Sequence, residues 1–277
     1  KASSPLNRHK NRENSGKPSV SFRAIRIFIL LIILFVVGVN SWMIKSETTD
    51  WNETLRVVVY PINGDGSGVS ANYINDLEVY PFKEIDSFIA REAESYELAF
   101  DEPLTIMRGP EIDTIPPAPP EGGGMLSVIW WSLKMRYWAF SFDEYEGPKP
   151  DIRMFIVYFD PNTHKQLNNS LGLEKGLIGV VNAFADNEME EQNNVVLAHE
   201  ILHTLGATDK YDPKTSHPLY PHGYADPEQE PLFPQEYAEI MAGSIPVSKT
   251  EMAMPESLMY TVIGSKTASE IKWLVDG

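Results

Sequence analysis

At 277 residues, with 43% hydrophobic and 11% aromatic side chains, the chain is long enough for one large globular domain or two small ones. It has no cysteine, which excludes disulfides, thiolate metal ligands and cysteine nucleophiles together and leaves His, Asp and Glu as donors for any transition-metal site. The net charge of −16 is uneven: residues 1–44 carry seven Lys or Arg and one Glu, so residues 45–277 hold 16 basic against 38 acidic side chains, and a body at −22 repels phosphate backbones and excludes nucleic acid as its expected partner.

Residues 1–26 are polar and basic, with Lys1, Arg8, Lys10, Arg12, Lys17, Arg23 and Arg26, and read as a cytoplasmic tail without a core of its own. From Ile27 to Ile44 the run IFILLIILFVVGVNSWMI has no charge. Its length corresponds to about 27 Å of helix, enough to cross the hydrocarbon of a bilayer. Basic residues before it, with Glu47 and Asp50 after it, predict a single-pass signal-anchor helix, the N-terminus cytoplasmic and the remainder periplasmic or extracellular. Trp42 stands where an interfacial aromatic belongs. A cleaved signal peptide is the competing reading, with Val39 and Ser41 near a cleavage site, but a basic leader of about 26 residues is long for one. Lys45 to Thr54 follows as a linker, and 55–277 is the main domain, with an upper subdomain, 55–206, and a lower one, 207–277.

Leu55 to Ile62 (LRVVVYPI) predicts a strand closed by the turn residues Asn63 to Gly68. Ile85, Phe88, Ile89 and Ala93 have helical spacing within Phe82 to Leu98, and Leu104 to Met107 predicts a second strand before a proline-rich loop through Pro120. Met125 to Phe140 reads as another helix, whose Trp130, Trp131 and Trp138 are expected to pack. The apolar run Ile152 to Phe159 (IRMFIVYF) marks a strand buried on both faces, and Leu177 to Phe184 (LIGVVNAF) a further strand. Asn193 or Asn194 offers an N-cap for VVLAHEILHTLG, and Gly206 the stop. This alternation predicts an α/β layer with the motif helix packed beneath it. After Asp209, prolines at 213, 218, 221, 227, 231 and 234 forbid long regular elements, so the C-terminal part is expected to be loop-rich and to close with a helix from Thr267 to Val275.

The chemistry concentrates in HEILHTLGATD, His199 to Asp209. Four residues apart on a helix, His199 and His203 project from one face and can hold one ion, for which neutral imidazole suits zinc. Leu197, Ile201 and Leu205, with Ala198 and Leu202, form the face that buries the helix. Glu200 is turned about 100° from His199, too far to bind the same ion but well placed beside its water, as a general base. Gly206 can adopt a left-handed turn that swings the chain back and delivers Asp209 as third ligand. His217, His222, Asp212 and Asp226 are rival third ligands, and Glu236 or Glu239 would serve from a later helix. His164 in its polar loop and His9 in the basic tail are expected to be solvated, and Tyr211 to pack against the loop or to face the metal.

The pattern HExxHxxGxxD followed by Lys210 and Tyr211 resembles the metzincin clan of zinc peptidases, snapalysin-like enzymes most of all. The resemblance implies a metzincin-like mixed sheet packed on helices, one catalytic zinc ion and hydrolysis of peptide bonds. It also implies a methionine in a tight turn beneath the ligands, for which Met241 in EIMAG and Met259 in SLMY both qualify. The strand before the motif helix would then be an edge strand that pairs with an extended peptide substrate. The expectation is a membrane-anchored zinc endopeptidase. Its alternative is a non-catalytic, zinc-braced domain that binds a peptide or partner at the membrane surface.

Overall fold

The run LRVVVYPIN forms β1 (Leu55–Asn63), and its side chains divide by parity: Val57 and Val59 enter one apolar cluster, Val58, Tyr60 and Ile62 a second. A strand that is apolar at both parities needs cover on both faces. β3 (Ile152–Phe159) divides likewise, with Met154, Ile156 and Tyr158 in the first cluster and Phe155 and Val157 in the second. With β2 (Leu104–Arg108), β4 (Leu171–Leu173) and β5 (Ile178–Phe184) they make a five-stranded sheet in the order β2-β1-β3-β5-β4. β2, β1, β3 and β5 pair in parallel, and β4 joins β5 antiparallel. The expected mixed α/β layer is therefore present. The strand before the motif helix is not at the sheet's edge: the three residues of β4 stand there instead.

The structure is a computed structural model that describes residues 25–32, 35, 50–78, 81–98, 101–120, 122, 124–142, 145–174 and 176–274. The chain divides into two units, Lys1–Met43 and Ile44–Gly277. In the first, α1 covers 25–32. The basic tail to residue 24, Trp42 and much of the apolar segment 27–44 lie outside the described residues, and among those described no helix is long and apolar enough to cross a membrane.

In the second unit, the turn after β1 starts a helix that the periodicity did not indicate. Ser67 Oγ accepts the Ser70 N–H at 3.0 Å and caps α2 (Gly68–Asp76), while Asp65 binds the N–H groups of Ser67 and Asp160. Those amides outweigh the upward push of burial and lower the Asp65 carboxyl to about 2. α3 (Lys83–Ser95) and α5 (Glu190–Thr204) cover the sheet's first face, where Ile85, Phe88 and Ile89 meet Leu197, Ala198, Ile201 and Leu202. α4 (Met125–Ser141) covers the second face through Met135 and Ala139, with Trp131 and Trp138 packed against them. The motif helix and α4 thus lie on opposite faces of one sheet.

α5 begins earlier than expected, at Glu190, where Glu190 and Glu191 suit the positive end of the helix. Neither Asn193 nor Asn194 caps it. Asn193 instead acts like a piece of strand: its Oδ1 accepts from Phe184 N at 3.3 Å and its Nδ2 donates to Phe184 O at 3.0 Å, tying the end of β5 to the first turn of α5. Asn194 Nδ2 reaches Glu84 Oε2 on α3. The proline-rich segment after Asp209 has short pairings only: β6 (Ala238–Glu239) with β9 (Thr261–Val262), and β7 (Ile245–Pro246) with β8 (Met252–Ala253). Buried Gln235 organises its loop, accepting from Asp226 N and donating to the carbonyls of Asp226 and Leu232. The closing helix, α6 (Ser265–Glu270), starts before Thr267 and is shorter than expected, and Val275 lies outside the described residues.

Replacing Asn193 by Ala strands the N–H and C=O of Phe184 beneath α5, and each lost partner costs about 1–3 kcal/mol. Urea unfolding of Asn193→Ala should show an unfolding free energy lower by that amount, read as a lower midpoint at an unchanged slope.

Candidate metal centre

The two histidines of α5 each have one ring nitrogen committed to the backbone. His199 Nδ1 lies 2.9 Å from Ile240 O, and His203 Nδ1 lies 2.8 Å from Ala207 O. A carbonyl only accepts, so each Nδ1 carries hydrogen and each Nε2 turns to the cleft with its lone pair free for a cation or a proton. The rings stand 4.6 Å apart at 81°, converging on one point.

Helix α5 stops where the chemistry requires it. Gly206 N donates to His203 O at 3.1 Å and Ala207 N to Leu202 O at 3.0 Å, the paired bonds of a Schellman cap, with Gly206 at φ +102°. That is the expected left-handed turn, and it also supplies Ala207 O to His203. Three residues on, Asp209 Oδ1 arrives 3.3 Å from His199 Nε2 and 3.0 Å from His203 Nε2. Among the described residues, these three form the one His/Asp/Glu group whose donor atoms converge, all within 4.8 Å of one another, so the group can hold a metal ion. The rival ligands His217, His222, Asp212, Asp226, Glu236 and Glu239 stand outside it.

A single carboxylate holds the loop that carries Asp209. Glu270 of α6 accepts Thr208 N at 2.9 Å, Thr208 Oγ1 at 3.0 Å and the buried Lys210 Nζ at 2.7 Å, clamping the residues on both sides of Asp209. These bonds outweigh burial and lower the Glu270 carboxyl. Lys210 N also donates to Met241 O at 2.8 Å, and the same turn offers Ile240 O to His199. Met241 is fully buried in the 3₁₀ turn Ile240–Ala242, which Gly243 closes at φ +70°. Met259 is 71% exposed in another turn, so of the two candidates only Met241 lies under the histidines' support. Beneath the turn, Glu239 is buried and accepts from Ala242 N, Gly264 N and Thr267 Oγ1.

Glu200 is buried beside the three donors, and its Oε2 has no hydrogen-bond partner. Burial pushes its carboxyl upward against the pull of His199 and His203. Its wall is Gly172 of β4: a Cβ there would lie 2.5 Å from His203 Cβ and 2.6 Å from Glu200 O. Asp209 is held well below the ordinary carboxylate range, because bonds from both histidines outweigh burial, and His203 is raised by that partner despite burial. Tyr211 is pushed up by burial and by the negative Asp209 and Glu200. A cleft of about 790 Å³ runs over the group, walled by Leu171 and Gly172 on one side and by Tyr211, Ser244, Met252 and Met254 on others.

His164 is partly exposed, as expected of its polar loop, with its ring against Phe159 and its Nδ1 3.5 Å from Asp65. The sequence pattern does not point to Gly172 or Glu270, and it offers Asn193 in a different role, as a cap. Gly172 has a local signal, a glycine between two leucines, whereas the partners of Glu270 are about sixty residues away. No protein-family model and no curated protein matches this chain.

Gly172→Ala must move β4 off α5, and metal affinity measured by competition with a chelator should fall roughly 10–100-fold, as for other residues that support ligands. Metal uptake must also displace any proton held on His203 Nε2 beside Asp209. Because the His203 pKa is raised, that proton persists to higher pH than on a free imidazole, and affinity should fall about tenfold per pH unit below the raised value. The lowered Asp209 stays ionised through this window and adds no second proton; isothermal titration in buffers of different ionisation heat counts the protons released.

Proposed function

We propose that this chain is a membrane-anchored zinc endopeptidase of metzincin type, with His199, His203 and Asp209 as metal ligands and Glu200 as general base, acting outside the cytoplasm. The reading is carried by Glu200, a buried carboxylate whose Oε2 finds no donor although three converging ligand atoms stand beside it. A metal that only braces a fold needs no such base, and burying an unpartnered carboxylate opposes folding. Zinc suits the donor set. Tetrahedral zinc with bonds of about 2.0–2.1 Å keeps two ligand atoms about 3.3 Å apart. The separations from Asp209 Oδ1, 3.3 and 3.0 Å, are close to that edge. The spacing HExxHxxGxxD and a buried methionine turn at Met241 support the metzincin resemblance, and the uncharged run 27–44 behind a basic flank supports the anchor.

Bound there, zinc would supply a water acidified toward neutral pH and a polarised substrate carbonyl. The chain's own groups do the remainder. Glu200 accepts the proton of the attacking water and returns it to the leaving amine. Tyr211 remains protonated at neutral pH and faces the same carboxylates as a hydrogen-bond donor. An extended peptide joins the sheet alongside β4, whose residues wall the cleft and whose outer edge pairs with no strand among the described residues. Val196, Met252 and Met254 offer it apolar contact.

The full chain, purified in detergent, should bind one zinc and cleave an unstructured protein such as casein. Glu200→Gln should keep the zinc while kcat/KM falls by about 10²–10⁴. Undiminished cleavage by that variant, or a wild-type chain that takes up no metal, refutes the proposal.

A further inference from the structure

α4 is apolar on both faces. Its inward positions Trp131, Met135, Trp138 and Ala139 close the second cluster. Its outward positions Leu126, Trp130, Leu133, Tyr137 and Phe140 follow one another at intervals of four and three, which on a helix makes a single stripe along about four turns. Their exposure ranges from 49% to 82%. On a helix that only covers a sheet, this stripe is where charged residues belong. Ile115, two residues from the point where Trp131 Nε1 fastens the proline loop through Pro117 O, is exposed as well.

We infer that this stripe lies on a lipid bilayer, with the axis of α4 in the plane of the headgroup boundary. Three observations select lipid. The domain after residue 44 has 38 acidic side chains, yet none falls between Met125 and Ser141, whose charged residues are Lys134 and Arg136. α4 is therefore a part of the acidic body that does not repel lipid phosphate, and exposed Lys134 borders the stripe where its amine can reach a phosphate. Trp130 and Tyr137 are the side chains favoured at the level of the headgroups. The same chain carries the uncharged run 27–44, predicted to cross a bilayer, and the expected linker 45–54 is cut short because Trp51 is buried in the first cluster with its Nε1 donating to Ile271 O. Only residues 45–50 separate the run from the domain, a reach of at most about 20 Å, so the domain stays close to the surface.

The inference is independent of the metal centre and rests on the anchor. Because α5 covers the other face of the sheet, contact through α4 leaves the cleft open to water.

The absence of cysteine makes the test direct. Trp130→Cys, Leu133→Cys and, as a reference at an exposed site, Lys249→Cys are introduced singly into the full chain, labelled with a nitroxide and reconstituted into phosphatidylcholine vesicles. Collision with oxygen against a water-soluble nickel chelate reads the depth. Labels at 130 and 133 should lie about 5–10 Å below the phosphates while the label at 249 stays in water. Equal access of nickel to all three labels overturns the inference. So does spin–spin broadening at 130 and 133 that persists in detergent, which would assign the stripe to a second copy of the chain. Chain that fails to float with the vesicles overturns it too.

Discussion

Two imidazoles on one helix face present the same nitrogen to a common point only if the opposite nitrogen of each is held. Here the holders are two backbone carbonyls, Ile240 O and Ala207 O, neither of which belongs to the helix. Ala207 O exists in that position because the chain turns at Gly206, and the same turn sends Asp209 back to the histidines. Ile240 O exists there because a 3₁₀ turn ends in the left-handed Gly243. The convergence of His199, His203 and Asp209 therefore depends on two tight turns and two carbonyls as much as on the three side chains.

Behind those turns stand two carboxylates that hold them in place. Glu239, fully buried, gathers Ala242, Gly264 and Thr267, joining the 3₁₀ turn that contains Met241 to the start of α6. Glu270, at the end of α6, gathers Thr208 and Lys210 around Asp209. The buried Glu239 and the half-buried Glu270 are tolerable because each has several donors, whereas Glu200, also buried, leaves one oxygen without any. That contrast sets Glu200 apart from its acidic neighbours more sharply than its place in the motif does. The short helix α6 thus has a larger part in the site than its length suggests, since it holds both the Met241 turn and the loop that carries Asp209.

What the sequence disclosed follows from range. Contacts within one helix or one turn were legible: the spacing of His199 and His203, the stop at Gly206 and the delivery of Asp209 all lie within eleven residues. Strands with uniform apolar runs, such as Ile152 to Phe159, were legible because few alternatives bury both faces. β4 was not, since three residues centred on a glycine carry no period, and its place is decided by how closely Gly172 can approach α5. Asn193 misled because a cap and a side chain that mimics strand pairing use the same residue type, and only the nearness of Phe184 distinguishes them. Glu270 was invisible for a similar reason, its partners being about sixty residues away.

α4 shows a different limit. Periodicity reports the contrast between a helix's two faces, and a helix that meets apolar surroundings on both sides has none to report. Met125 to Ser141 was accordingly readable as a helix but not as one with a further role, and its tryptophans were all assigned to packing. The structure separates them: Trp131 and Trp138 join the core beside Met135, while Trp130 faces outward. Burial in a protein and immersion in lipid demand the same residues. Only the position of the sheet tells which apolar positions the fold itself has satisfied and which still need cover from outside it.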